Sequence, residues 1–133
     1  MEREIRVKGR LAATLIIDDN MCLTKCTKEH IAFSLSEADL KDVKSIGRGA
    51  FTRRRGLIEV NIPISVTSIS NYAFNGCEGL QSVKVPNSVP RIGEVAFFGC
   101  KRLTEIDIPK SVTSIDDKAF MECEELKSVK IPD

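Results

Sequence analysis

The stretch 47-GRGAF-51 returns as 70-SNYAF-74, 93-GEVAF-97 and 116-DDKAF-120, so that Phe51, Phe74, Phe97 and Phe120 stand 23 residues apart each time. A period of this length, held through four copies without slippage, marks a solenoid in which one unit stacks on the next. Outward from the phenylalanine the rest of the unit keeps step. Leu57, Leu80, Leu103 and Leu126 form one column; Val60, Val83, Ile106 and Val129 a second; Ile62, Val85, Ile108 and Ile131 a third. Pro63, Pro86, Pro109 and Pro132 close that segment. Then come the columns Val43, Val66, Val89, Val112 and Ile46, Ile69, Ile92, Ile115, followed by Ala50, Ala73, Ala96 and Ala119 just ahead of each phenylalanine.

Each column has a physical reading. In V-x-I the two β-branched residues lie two apart and point to one face of a strand. The proline has no N–H for a ladder and ends the strand at a corner. The V-x-x-I that follows suits either a second short extended run or a tight corner. A-F among polar residues and glycines (Gly76, Gly99) suits one helical or 3₁₀ turn. A single unit cannot bury these side chains. Stacked units, with strands roughly 4.8 Å apart, bury them as one continuous core.

The motif L-x-x-V-x-I-P-x-S-V-T-S-I-x-x-x-A-F-x-x-C closely resembles the BspA-type, or Treponema pallidum-type, leucine-rich repeat. Residues 65-SVTSI-69, 111-SVTSI-115, 74-FNGC-77 and 97-FFGC-100 carry the match, which extends over about residues 40–133. The resemblance implies a leucine-rich repeat solenoid: a right-handed superhelix with a parallel sheet on its concave face. It also implies a protein-interaction role, since family members are often surface proteins implicated in adhesion. It supplies no catalytic motif, so no catalytic residue and no cofactor are expected, and the chain reads as a non-enzyme.

On that reading the x positions of L-x-x-V-x-I face outward and form the candidate binding surface. Asn61, Lys84, Asp107 and Lys130 make one ladder, and Glu59, Ser82, Glu105 and Ser128 another. No aromatic or arginine anchor stands in these columns, although such residues dominate interface energetics. The turn after each phenylalanine carries charge instead: Arg53, Arg54 and Arg55, then Glu78, then Lys101 and Arg102, then Glu122, Glu124 and Glu125.

Composition narrows the partners. Twenty basic residues stand against nineteen acidic ones, which creates no field to recruit nucleic acid, and the arginine run has no stacking aromatics beside it. No run approaches the ~20 apolar residues of a membrane span, so no membrane insertion is expected. The start, 1-MEREIRVKGRLAATLIIDDN-20, makes a poor signal peptide because its apolar run is short and ends on Asp18 and Asp19. That start suits a cytoplasmic protein, or a surface or secreted one trimmed of its leader.

The cysteines divide in two. Cys77, Cys100 and Cys123 share a core column, where cysteine acts as a small apolar residue; Arg54 holds that position in the first unit. Cys22, Cys26 and His30 form C-x-x-x-C-x-x-x-H, which on a helix would share one face and supply three metal ligands or a thiol–imidazole pair. The usual C-x-x-C spacing and a fourth ligand are both missing. Two half-buried cysteines and a surface histidine are the plainer reading.

Residues 1–30 read as an N-terminal cap and residues 31–133 as the solenoid, all in one domain. Ile31–Ile46 is a degenerate unit, and the regular units follow to the end. In the cap, Ile5 and Val7 alternate as in a strand, Leu15–Ile17 suits another, and Asp18-Asp19-Asn20 a turn. Ser36 and Asp39 form a candidate capping box. At the other end, Val129 and Ile131 sit on an edge. An uncovered parallel edge pairs readily, which makes a homodimer through the C-terminal edge the alternative role for the chain.

Overall fold

The computed structural model describes residues 1–27 and 31–130. Within them the chain forms two sheets. The V-x-I segments give a five-stranded parallel sheet of β4 (Phe33–Leu35), β6 (Leu57–Asn61), β8 (Ser82–Lys84), β10 (Glu105–Asp107) and β12 (Ser128–Lys130). The S-I dipeptides, with R-I in the third unit, give the two-residue strands β5 (Ser45–Ile46), β7 (Ser68–Ile69), β9 (Arg91–Ile92) and β11 (Ser114–Ile115) of a second sheet. That sheet continues through β3 (Cys22–Thr27) into the antiparallel pair β2 (Arg10–Ile17) and β1 (Glu2–Val7). The open choice after the proline thus resolves as an extended run.

Stacking is in register from coil to coil. Val60 pairs with Val83 and Val83 with Ile106, while Ile46 pairs with Ile69 and Ile69 with Ile92. Phe51, Phe74 and Phe97 are fully buried, and successive rings lie 5.0, 5.2 and 5.5 Å apart with interplanar angles of 1–3°. The leucine column is buried at Leu57, Leu80 and Leu103 and half-buried at Leu126. Ile131 and Pro132, the last members of their columns, lie outside the described residues.

The expected helical turn at A-F is not formed; no helix or 3₁₀ segment occurs among the described residues. The hydrogen bonds give the reason. In the second coil Ala73, Asn75 and Cys77 donate back three residues to Ser70, Tyr72 and Phe74, as a tight turn requires. Their neighbours Tyr72, Phe74 and Gly76 donate to Glu94, Ala96 and Phe98 of the next coil at 2.7–3.0 Å. The same alternation recurs at Gly49, Phe51 and Arg53, and again at Val95, Phe97 and Gly99. A helix would keep every N–H for its own coil. Here two left-handed residues per coil, four apart, swing alternate N–H groups outward: Gly49 and Arg53, Tyr72 and Gly76, Val95 and Gly99, Lys118 and Glu122. Gly76 and Gly99 adopt φ of 73° and 71° without the Cβ penalty that other residues meet there.

Side chains add further ladders. Ser65 and Ser111 donate to the carbonyls of Val43 and Val89 in the coil before, at 2.8 and 2.9 Å, and Ser88 does the same to Val66. Cys77, Cys100 and Cys123 point their thiols at the carbonyls of Phe51, Phe74 and Phe97, at 3.0, 3.3 and 3.1 Å. All five cysteines are thiols. Burial, first, and the neighbouring thiols, second, push the Cys100 thiol far above its usual range. In the first coil Arg54 takes the cysteine place, and its Nε is buried without a partner among the described residues. At residues 36–39 Ser36 and Asp39 exchange backbone and side-chain hydrogen bonds as the capping-box reading expects.

Three outcomes follow from this packing. Replacing Phe74 or Phe97 by alanine should cost about 3–5 kcal/mol in urea denaturation, and the half-buried Phe120 distinctly less. Val95, a β-branched residue held at φ 59°, bears a penalty on the order of 1–2 kcal/mol, so Val95→Gly should raise the melting temperature despite the lost side chain. In the unfolded chain thiols ionise near pH 8.5, whereas folded Cys100 stays protonated well above that. The contribution of this thiol to stability should therefore be full below about pH 8 and be lost as pH rises further, and Cys100→Ala should reduce the alkaline fall.

Candidate interaction surface

The pleat of the five-stranded sheet decides which side chains leave the core. Val60, Val83 and Ile106 turn inward and are buried, so the residues flanking them turn outward. Register then aligns Asn61, Lys84, Asp107 and Lys130 in one row across four strands, and Glu59, Ser82, Glu105 and Ser128 in the next. Glu59, Lys84 and Asp107 are exposed and Asn61 and Ser82 half-exposed. Between β8 and β10 lies a shallow groove of about 320 Å³, lined by Ser82, Val83, Lys84, Val85, Asp107 and Pro109. Val83, Val85 and Pro109 make part of its lining apolar, and Lys84 and Asp107 add one cation and one anion.

The cysteine–histidine motif falls differently. Cys22–Thr27 is a strand, so the helical face anticipated for Cys22, Cys26 and His30 does not exist. The pairing of β2 with β3 slips at Ile16/Ile17, where Thr24 is passed over. This bulge changes the parity of the strand, and Cys26 turns into the core beside Leu23 while Cys22 stays half-exposed. His30 lies outside the described residues. Among the described residues no three His, Cys, Asp or Glu side chains gather as metal ligands.

Sequence columns missed a second surface. At the A-F corner the Arg48 guanidinium lies 4.8 Å from the centre of the Tyr72 ring. Arg91 reaches across the coils, its Nε 2.9 Å from Asp116 and its Nη2 3.2 Å from Asn71, whose Oδ1 also accepts the N–H of Glu94. Tyr72, Val95 and Phe98 are half-exposed beside them, and Met121 is 49% exposed. The signal was present in the sequence as the variable positions on either side of A-F. A short helix, which was the expectation there, would have distributed them around its circumference.

No helix of the described residues is long and apolar enough to cross a membrane. No curated protein matches the chain. Among solved structures it is similar to a leucine-rich cell surface protein from Faecalibacterium prausnitzii, with 32% identity and a TM-score of 0.76 over 90% of this chain. The match spans 32% of that longer protein. It is also similar to a leucine-rich repeat protein from Bacteroides capillosus, at 28% identity and a TM-score of 0.74, covering 98% of this chain and 99% of that one. A leucine-rich repeat protein of T. pallidum matches at 25% identity and a TM-score of 0.61, over 98% of this chain and 72% of the other. The family model described as the BspA type leucine rich repeat region matches residues 44–133 in 6 copies. The repeat period, the stacked coils and these matches agree: the chain belongs to the BspA-type leucine-rich repeat family.

Proposed function

We propose that the chain is a non-enzymatic protein-interaction scaffold, of the adhesin-like kind found at cell surfaces, that receives a protein partner on the outward face of its five-stranded sheet. The observation that carries this reading is the strand register, which aligns Asn61, Lys84, Asp107 and Lys130 in one row and Glu59, Ser82 and Glu105 in the next, with Ser82, Lys84 and Asp107 at the groove between β8 and β10. Mixed charge without a deep cavity favours a protein surface over a small molecule, which is usually enclosed by a pocket. It also favours weak or repeated contacts, because the rows hold no aromatic or arginine anchor.

The balanced charge argues against nucleic acid as the partner. That the F. prausnitzii structure is described as a cell surface protein is in keeping with an adhesive role.

A second reading rests on the last coil. Phe120, Leu126 and Val129 are half-buried there, whereas their counterparts in earlier coils are fully enclosed or nearly so. Lys118, Phe120 and Glu122 occupy the positions whose N–H groups, in each earlier coil, bond the coil that follows. Such an end accepts another coil, and a homodimer through this C-terminal edge is one way to provide it.

Interferometry against a broad panel of extracellular and cell-surface proteins tests the first reading. A binder should lose about tenfold or more in affinity on Lys84→Glu or Asp107→Lys, with the melting temperature unchanged. Absence of any binder, or binding that tracks unfolding, would overturn it. For the second, Val129→Lys should abolish concentration-dependent growth of molar mass in light scattering.

A further inference from the structure

The A-F corner carries charge in an order that neither reading above uses. From residue 47 to 56 it holds Arg48, Arg53, Arg54 and Arg55 and no acid. From 70 to 79 Glu78 is its one charge, and from 93 to 102 Lys101 and Arg102 stand against Glu94. From 116 to 125 Asp116, Asp117, Glu122, Glu124 and Glu125 stand against Lys118. The four corners thus have net charges of +4, −1, +1 and −4. Read backwards, the series is its own complement at every step.

The same holds within single columns. The inter-coil hydrogen bonds keep equivalent residues stacked, so Arg53, Gly76, Gly99 and Glu122 form one row, and Arg55, Glu78, Lys101 and Glu124 another. Laid antiparallel on itself, the second row pairs Arg55 with glutamate and Glu78 with lysine. The first row pairs Arg53 with glutamate at both ends and has two glycines in the middle, Gly76 lying under the Arg53 side chain and Gly99 buried. In the two middle coils Tyr72, Val95 and Phe98 are half-exposed, and Met121 is exposed in the last. Aromatic, methionine and arginine side chains are the types enriched at the centres of protein interfaces. Arg48, Arg53, Arg55, Asp117, Glu122 and Glu124 are all exposed. Three contacts inside one copy compete: Arg91 holds Asp116, Arg55 lies 3.6 Å from Glu78, and Arg48 lies over the Tyr72 ring. The second is an exposed pair of the kind that contributes little.

From this order we propose that the A-F corner is an interface for a second copy of this chain, placed antiparallel about a two-fold axis that passes between the second and third coils. In an isologous contact each residue meets the mirror position of its own row. Arg53 then faces the partner's Glu122, Arg55 the partner's Glu124, and Phe98 packs near the axis. A parallel arrangement would bring like charges together at both ends. The charged rows border the sheet at Ile58 of β6 but share no residue with its candidate binding rows or with the C-terminal edge, so the proposal stands or falls without them. Four coils at roughly 4.8 Å each make a short strip, so the association is weak and is strengthened by low salt.

Sedimentation equilibrium over a wide concentration range, at low and high salt, tests it. The expected result is a monomer–dimer equilibrium that salt weakens. Glu122→Arg should weaken it about tenfold or more, and adding Arg53→Glu to that variant should restore it, since the reversed pair is again complementary. Phe98→Asp should weaken it at either salt. Both charge sites are exposed, and thermal unfolding by circular dichroism confirms that each variant folds. A monomer under every condition would overturn the proposal. So would association that ignores Glu122→Arg and its reversal but disappears with Val129→Lys, which would assign the contact to the C-terminal edge. Either failure leaves partner binding on the sheet face unaffected.

Discussion

The structure depends on a backbone device at the A-F corner. Two left-handed residues, four apart, let alternate N–H groups close a turn within one coil and bond the next. In-register stacking follows from this as much as from the strands, several of which are only two or three residues long. Strands so short hold few ladder bonds, and the corner supplies three more between each successive pair of coils. The phenylalanine stack is one consequence. Phe51, Phe74 and Phe97 repeat at near strand spacing because their own N–H groups bond to the alanine carbonyl of the following coil.

Once backbones are locked at that spacing, small differences between coils appear as differences in surface. Serine and cysteine add hydrogen bonds to the same carbonyl rows without altering the register. Exchange of Cys for Arg54 leaves one nitrogen buried without a partner among the described residues, so the column is tolerant rather than uniform. The outward positions are under no such restraint. Their charge varies from coil to coil, and repetition converts that variation into ordered rows on both the sheet face and the corner.

Much of this was legible in the sequence because period and burial are linear properties. Phe, Leu, Val and Ile columns read directly as core, and a proline follows the ends of β6, β8 and β10. A helical turn is expected at the corner because polar residues and glycines flank a small alanine there, whereas the direction of each N–H depends on the left-handed φ of residues such as Tyr72, Val95 and Lys118. Non-glycine residues give no warning of a left-handed conformation. Cys22 and Cys26 misled for a related reason: four residues apart on a helix they share a face, but the bulge in β3 separates them. The candidate sheet face was legible as rows of residues. Its groove was not, because the groove depends on how Val83, Val85 and Pro109 come together between β8 and β10.

The alternating corner ladder is most directly tested by residue-resolved amide hydrogen exchange in the native protein. The ladder predicts that Phe51, Arg53, Phe74, Gly76, Phe97 and Gly99 are protected about as strongly as the strand amides of β6, β8 and β10, because their acceptors lie in the next coil. Fast exchange at Phe74 and Gly76 beside slow exchange at Asn75 and Cys77 would contradict it. That pattern would mean that each corner closes on itself and that the coils are held together by their strands and side chains alone.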